Sequence, residues 1–206
     1  CVAPNLRGYE RSSAPAEVEA YRAKQLVTDI AALIAQQGAP IDLLVAHDWG
    51  GAVAWNLAAL RPELMHRLLI INSPHPATFL RELRDNPAQQ AASAYMSFLC
   101  RPDAAALLVE NDFARLWPFF ENMGGGAWLD APTRERYREV WRYGLDSALN
   151  YYRVSPLRPP LSASDANPRR LPAIRVLVSR ISAACNGGSC KACCAASRNS
   201  WCSWRA

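Results

Sequence analysis

The stretch "LLVAHDWGGAVAW", residues 43–55, decides the fold. Its start overlaps "IDLLVA" (41–46), a short apolar run bounded by Pro40, which is the pattern of a buried parallel strand. From Gly50 to Leu60 the spacing changes: Val53, Leu57 and Leu60 recur at helical intervals, and Pro62 stands just beyond. A strand that turns at once into a helix brings backbones together, so small residues must flank its apex. Ala46, Gly50 and Gly51 supply them, which makes Asp48 the apex. A residue there is forced outward at the carboxyl end of the sheet, where α/β proteins bind ligands. Two roles fit an acid in that place: an N-cap accepting backbone N–H groups, or a nucleophile presented on a sharp turn.

Outward from this turn the same rhythm continues. Residues 17–37 place Val18, Tyr21, Leu26, Ile30, Leu33 and Ile34 at helical spacing, closed by Gly38. "RLLIINSP" (67–74) repeats the buried-strand signature. Helix, strand, helix, strand is the order of an α/β domain built on a parallel sheet. After "NSPHP" (72–76) the pattern becomes helical throughout: "SAYMSFL", "AAALLVENDFARLW" and "RERYREVWRYGL" give helices over 77–150 and no strand, as a helical insertion over a sheet would. The proline-rich passage 155–172 then leads to one more strand-like run, "IRVLVS" (174–179). No internal repeat is present.

Composition narrows the function classes. The chain has 206 residues, half of them hydrophobic and 20% charged, which fits a globular protein with a sizeable core. No run approaches the roughly 18 apolar residues of a membrane span, and no charged segment leads into an apolar one as in a secretory signal. The expectation is a cytoplasmic protein without a membrane partner. Its net charge of +5 comes from scattered arginines such as Arg153, Arg158, Arg169, Arg170 and Arg175, without interleaved aromatics that would stack bases. They read as a solvated surface, so nucleic acid is not expected as a partner. The first residue is Cys1 rather than Met, which implies a processed product or a fragment.

Four ordered motifs carry a resemblance. "AHDWGG" resembles the nucleophile elbow of α/β-hydrolases in the branch that uses aspartate, the epoxide hydrolases and haloalkane dehalogenases. "APNLRGYERSSAP" (3–15) is similar to the loop after an earlier core strand of these enzymes. "NSPHP" resembles the end of the strand leading into their helical cap, and "NYYR" (150–153) resembles the cap segment that bears a catalytic tyrosine in epoxide hydrolases. The resemblance spans about residues 1–179 and implies an α/β fold: a partial α/β-hydrolase core plus an α-helical cap. It implies a small-molecule epoxide as substrate, hydrolysed to a vicinal diol without cofactor or metal. Asp48 would be the nucleophile, forming an alkyl ester. Tyr152 and Tyr95 fall where the family's two cap tyrosines lie. A phenol, with an ordinary pKa of about 10, suits protonation of the leaving alkoxide. The other reading of Tyr95 is a half-buried cap aromatic, and Tyr151 is expected to pack. Trp49 would offer its backbone N–H to the oxyanion and its ring to the pocket wall. His75 is expected as loop packing or pocket lining, within the substrate-binding set. His47 is expected to be structural and His66 to lie on the surface. Haloalkane dehalogenases use the same tryptophan toward halide but have no need of two phenolic acids, so the tyrosine pair favours epoxides. A non-catalytic fragment is the third reading.

The sequence also departs from the family. Its hydrolytic histidine belongs in a loop after the last core strand, yet no histidine follows His75. Asn5 stands where the family usually has Asp, and Glu10 where it often has Gly. The strands before "CVAPNL", and the oxyanion loop that accompanies them, have no counterpart. In the tail, Cys185, Cys190 and Cys193 have the C-x4-C-x2-C spacing of iron–sulfur loops, but a shifted reading frame accounts for more. Cys and Trp codons all begin T-G, so a frame starting one base earlier turns each into Leu, Met or Val. The cysteines at 185, 190, 193 and 194 then become apolar at helical spacing, and Trp201, Cys202 and Trp204 an apolar strand. The expected organisation is a partial core over 1–76, a cap over 77–158, a return to a core strand over 159–180, and an out-of-frame cysteine-rich tail over 181–206. The chain is thus expected to be truncated at both ends, and its oligomeric state is left open.

Overall fold

A computed structural model describes residues 1–122, 126, 128–159 and 161, together with the backbone of 175–179. The passage 162–174 and the cysteine-rich tail, with the shifted-frame reading, lie outside the described residues. Three parallel strands stand in the order β1 (Leu44–His47), β2 (Arg67–Ile71), β3 (Arg175–Ser179). Register is continuous: Leu44 faces Leu68, His47 faces Ile71, and Arg67 faces Arg175. The central position of β2 explains its burial, with Leu68 and Ile70 at 1% and 0% exposed.

The expected buried strand at 41–46 needs correcting. β1 begins at Leu44 and ends at His47, while Ile41 forms only an isolated bridge to Met65. Leu43 and Val45 are 45% and 52% exposed. Among the described residues β1 pairs on one side only, with β2, and Leu43 and Val45, two residues apart and so on one face, stay uncovered. An apolar run does not distinguish a central strand from an edge strand; neighbours decide that.

The chain divides into two compact units, one of residues 27–76 with 168–206, the other of residues 1–26 with 77–167. In the first, α2 (Asp48–Leu60) packs on β1 and β2 and buries Val53, Ala54, Leu57 and Ala58. A Cβ added at Gly51 would meet Ser73 Cβ at 2.4 Å, so only glycine lets α2 lie this close to the chain leaving β2. The Trp55 indole donates to the Ser73 carbonyl at 3.1 Å and fastens the same contact. The expected single helix over 17–37 is instead a 3-10 turn, Val18–Tyr21, followed after Arg22 by α1 (Ala23–Gln36).

Among the described residues the α-helices after Pro76 are α3 (Pro76–Asp85), α4 (Pro87–Ala92), α5 (Tyr95–Leu99), α6 (Ala104–Phe113), α7 (Trp117–Asn122) and α8 (Ala131–Val154), which belong to the other unit. Asp130 caps α8 by accepting the Thr133 N–H at 2.9 Å, with Pro132 in its first turn. One apolar cluster joins Leu99, Ala104, Leu108 and Leu149; a second joins Phe113, Trp117 and Leu129 under the rings of Phe120, Tyr137 and Trp141. The helical pattern of "AAALLVENDFARLW" breaks at Glu110. Asn111, Asp112 and Phe113 take φ of 51°, 58° and 61°, a left-handed turn that carries the chain toward α7. Three tertiary contacts hold it: Arg138 forks onto the Asp112 carboxylate, the Trp117 indole donates to the Asp112 carbonyl, and Phe113 enters the second cluster.

The loop at 5–13 packs on α8 within this unit. The Tyr151 ring lies 5.5 Å from those of Tyr9 and Tyr21, and its hydroxyl donates to the Arg7 carbonyl at 2.8 Å. Gly8 has φ +85°, and a Cβ there would strike the Tyr21 ring at 2.8 Å. Within this loop Asn5 and Glu10 meet each other. Glu10, at φ 46°, accepts from Asn5 Nδ2 at 2.7 Å and pairs with Arg136 of α8, which holds the residue in a conformation that would suit glycine.

Candidate active site

At the strand-to-helix turn the backbone changes abruptly. His47 is extended at φ −131°, and Asp48 follows at φ 50° as the first residue of α2. For a residue with a Cβ the left-handed region costs about 1–2 kcal/mol, and such strain persists where surrounding structure enforces it. Here the enforcing contacts are the β1–β2 ladder on one side and the Gly51–Ser73 approach on the other. The result is an exposed carboxylate at the carboxyl end of β1, whose Oδ2 accepts the backbone N–H of Trp49 at 2.7 Å. A capping acid would occupy the extended position before the helix and accept from two or three residues on. His47 stands in that position and makes no side-chain cap bond. Asp48 is therefore placed as an apex residue, with a backbone donor already on its carboxylate.

Trp49 is half-buried, while His47 and His66 are exposed. His75 is half-buried, and its ring meets Trp55 edge to face at 5.0 Å. Burial pushes its imidazole pKa below the ordinary value. Asn72, at the end of β2, is a second left-handed residue with φ 47°. Both strands thus end in the same abrupt turn, and Asn tolerates it better than most residues.

Tyr95 and Tyr152 are brought together within the helical unit. Their rings lie 6.2 Å apart, edge to face. Tyr95 opens α5 and is 41% exposed; Tyr152 packs partly against the Leu99 and Leu149 cluster near the end of α8. Successive helical residues point about 100° apart, so Tyr151 can be fully buried while its neighbour is not. Arg158 steadies the end of α8, donating to the carbonyls of Tyr152 and Arg153 at 3.1 Å each. Arg158, Ser73 and Trp55 as supports were not legible from spacing. The paired glycines announced a close approach but not its partner. Among the described residues no three His, Cys, Asp or Glu side chains gather as a metal site needs, and no helix is long and apolar enough to cross a membrane.

Comparison with known proteins bears on the fold. Residues 1–98 match the family model described as the alpha/beta hydrolase fold. The chain carries this fold. It is similar to epoxide hydrolases. It is 37% identical over 156 residues to the AB hydrolase superfamily protein YfhM of Bacillus subtilis, covering 74% of this chain and 54% of that protein. With epoxide hydrolase 4 of Mus musculus it shares 34% identity over 160 residues, covering 74% of this chain and 45% of the relative. The crystal structure of Bacillus megaterium epoxide hydrolase with an inhibitor superimposes with a TM-score of 0.75 at 32% identity, covering 85% of this chain and 64% of that one. The chain spans about half the length of these curated relatives.

Proposed function

We propose that the protein opens epoxides through an aspartate ester. A carboxylate oxygen of Asp48 attacks an epoxide carbon, the ring C–O bond breaks, and the departing alkoxide takes a proton from the phenol of Tyr95 or Tyr152. The product of this half-reaction is an alkyl ester of Asp48. Hydrolysis would then place negative charge on the ester carbonyl oxygen, which the Trp49 N–H is suited to stabilise. The observation that carries the reading is the strained Asp48 whose carboxylate already accepts the Trp49 N–H at 2.7 Å. The paired phenols at 6.2 Å, one of them exposed, support epoxides over alkyl halides, because a departing halide needs no proton. His75, packed on Trp55, fits a lining role better than that of a base. Helices α3 to α8 would form the cap, and no cofactor enters the scheme.

Water activation is the step without a base, since no histidine follows His75 in these 206 residues. The chain is therefore expected to alkylate once. Incubated with a terminal epoxide, it gains the mass of one epoxide at Asp48, while Asp48→Asn gains none. Equal mass gain in the Asn variant, or halide release from chloroalkanes at a comparable rate, would count against the reading.

A further inference from the structure

The exposed ring of Tyr95 does not stand alone. Phe119 of α7 is 40% exposed, and its ring meets that of Tyr95 edge to face at 5.8 Å. Among the described residues Tyr95 and Phe119 are the two exposed large apolar side chains of this unit in ring contact with each other. The rings of Tyr152, Tyr95 and Phe119 thus form a row: the first backed by the aliphatic cluster, the last a phenyl ring with no polar atom.

Phe119 is also presented on a fixed support. Two residues earlier, Trp117 is buried and packs on Trp141 with ring centroids 4.8 Å apart. Arg134 and Arg138 lie over the Trp117 ring at 4.8 and 5.2 Å, and its indole donates to the Asp112 carbonyl. Two helical steps are about 200°, so anchoring Trp117 inward turns Phe119 outward, beside Tyr95. Exposed apolar surface held rigidly next to candidate proton donors is what a ligand-binding surface requires.

We infer that Phe119 is a specificity-determining residue, the aromatic wall that receives an aryl substituent of the epoxide while the oxygen is held at the phenols. The inference rests on the proposed epoxide chemistry. A hydrocarbon ring offers neither donor nor acceptor, so it selects flat apolar groups and adds little for short alkyl chains. An aryl ring in edge-to-face contact gains from both ring geometry and burial.

The test compares phenyl glycidyl ether with propylene oxide on the 206-residue chain and on its Phe119→Ala and Phe119→Leu variants, following mass gain at Asp48 with time. Loss of the ring should slow alkylation by the aryl ether about tenfold and leave propylene oxide within about twofold. Phe119→Leu, which keeps the apolar volume, decides the matter if the alanine variant is unfolded by circular dichroism. An equal loss with both epoxides, or none with the aryl ether, overturns the inference. Absence of alkylation in the unaltered chain would overturn the nucleophile reading instead. Titration with the diol of phenyl glycidyl ether then judges Phe119 separately: several-fold weaker binding by Phe119→Leu sustains the wall, and unchanged or undetectable binding in the unaltered chain and variant alike refutes it.

Discussion

Two adjacent tyrosines on α8 have unrelated surroundings. Tyr151 is sealed between Tyr9 and Tyr21 with its hydroxyl on the Arg7 carbonyl, and Tyr152 lies against the Tyr95 ring. Tyr151→Phe removes a buried hydrogen bond and should cost about 1 kcal/mol of stability, read as a lower midpoint in chemical denaturation, with alkylation of Asp48 unchanged. Tyr152→Phe should do the reverse, slowing alkylation roughly tenfold or more while the midpoint holds. His75 supplies a pH dependence whose sign follows from burial. Its pKa is depressed in the folded chain, so the fold favours the neutral ring. Its contribution is full above the ordinary histidine pKa of about 6.5 and is lost as the pH falls below it. Thermal midpoints measured from about pH 8 down to about pH 5 should therefore decline more steeply for the native chain than for His75→Phe, which keeps the ring contact with Trp55. At this scale Asp48, Trp49 and the tyrosines were legible as residue types in ordered motifs. Their supports were not, because Ser73 and Arg158 act through contacts that sequence spacing does not encode.

Among the elements, the turn from β1 into α2 was the most legible. Small residues around an acid, between a strand pattern and a helix pattern, admit few other geometries. Its tightness can be measured: Gly51→Ala would place a Cβ 2.4 Å from Ser73 Cβ and should destabilise by about 1–3 kcal/mol, with alkylation slowed as Asp48 shifts. An unchanged denaturation midpoint would show that the Ser73 segment gives way freely. Two elements were misread, each for a physical reason. β1 carries a buried strand's composition but stands at an edge among the described strands, and one face of it, with Leu43 and Val45, remains exposed. α6 follows a helical apolar pattern as far as Asn111 and Asp112, residues that tolerate the left-handed region, and there Arg138, the Trp117 indole and the pocket for Phe113 hold the break. The apolar periodicity that marked the helix does not register such a break.

Across the whole molecule, fold family and reaction class are separate conclusions. The family model, the 37% identical relative and the superimposed crystal structure establish the α/β-hydrolase fold. Because the chain spans about half of those curated relatives, its reaction stays with the proposal. The corresponding expectation is a stoichiometry: one lasting ester per chain in quenched samples, and no diol released. Sustained diol formation by purified chain would mean that another group activates water. The sequence by itself determined the alternation of strands and helices, the apex at Asp48 and the pair of candidate phenols, because these follow from local periodicity and from motifs contiguous along the chain. Only the tertiary structure decided which strand is central, where α6 breaks, that Asn5 and Glu10 are hydrogen-bonded, and that Phe119 stands beside Tyr95. Each of these depends on groups distant in sequence, whose packing free energy local pattern does not contain.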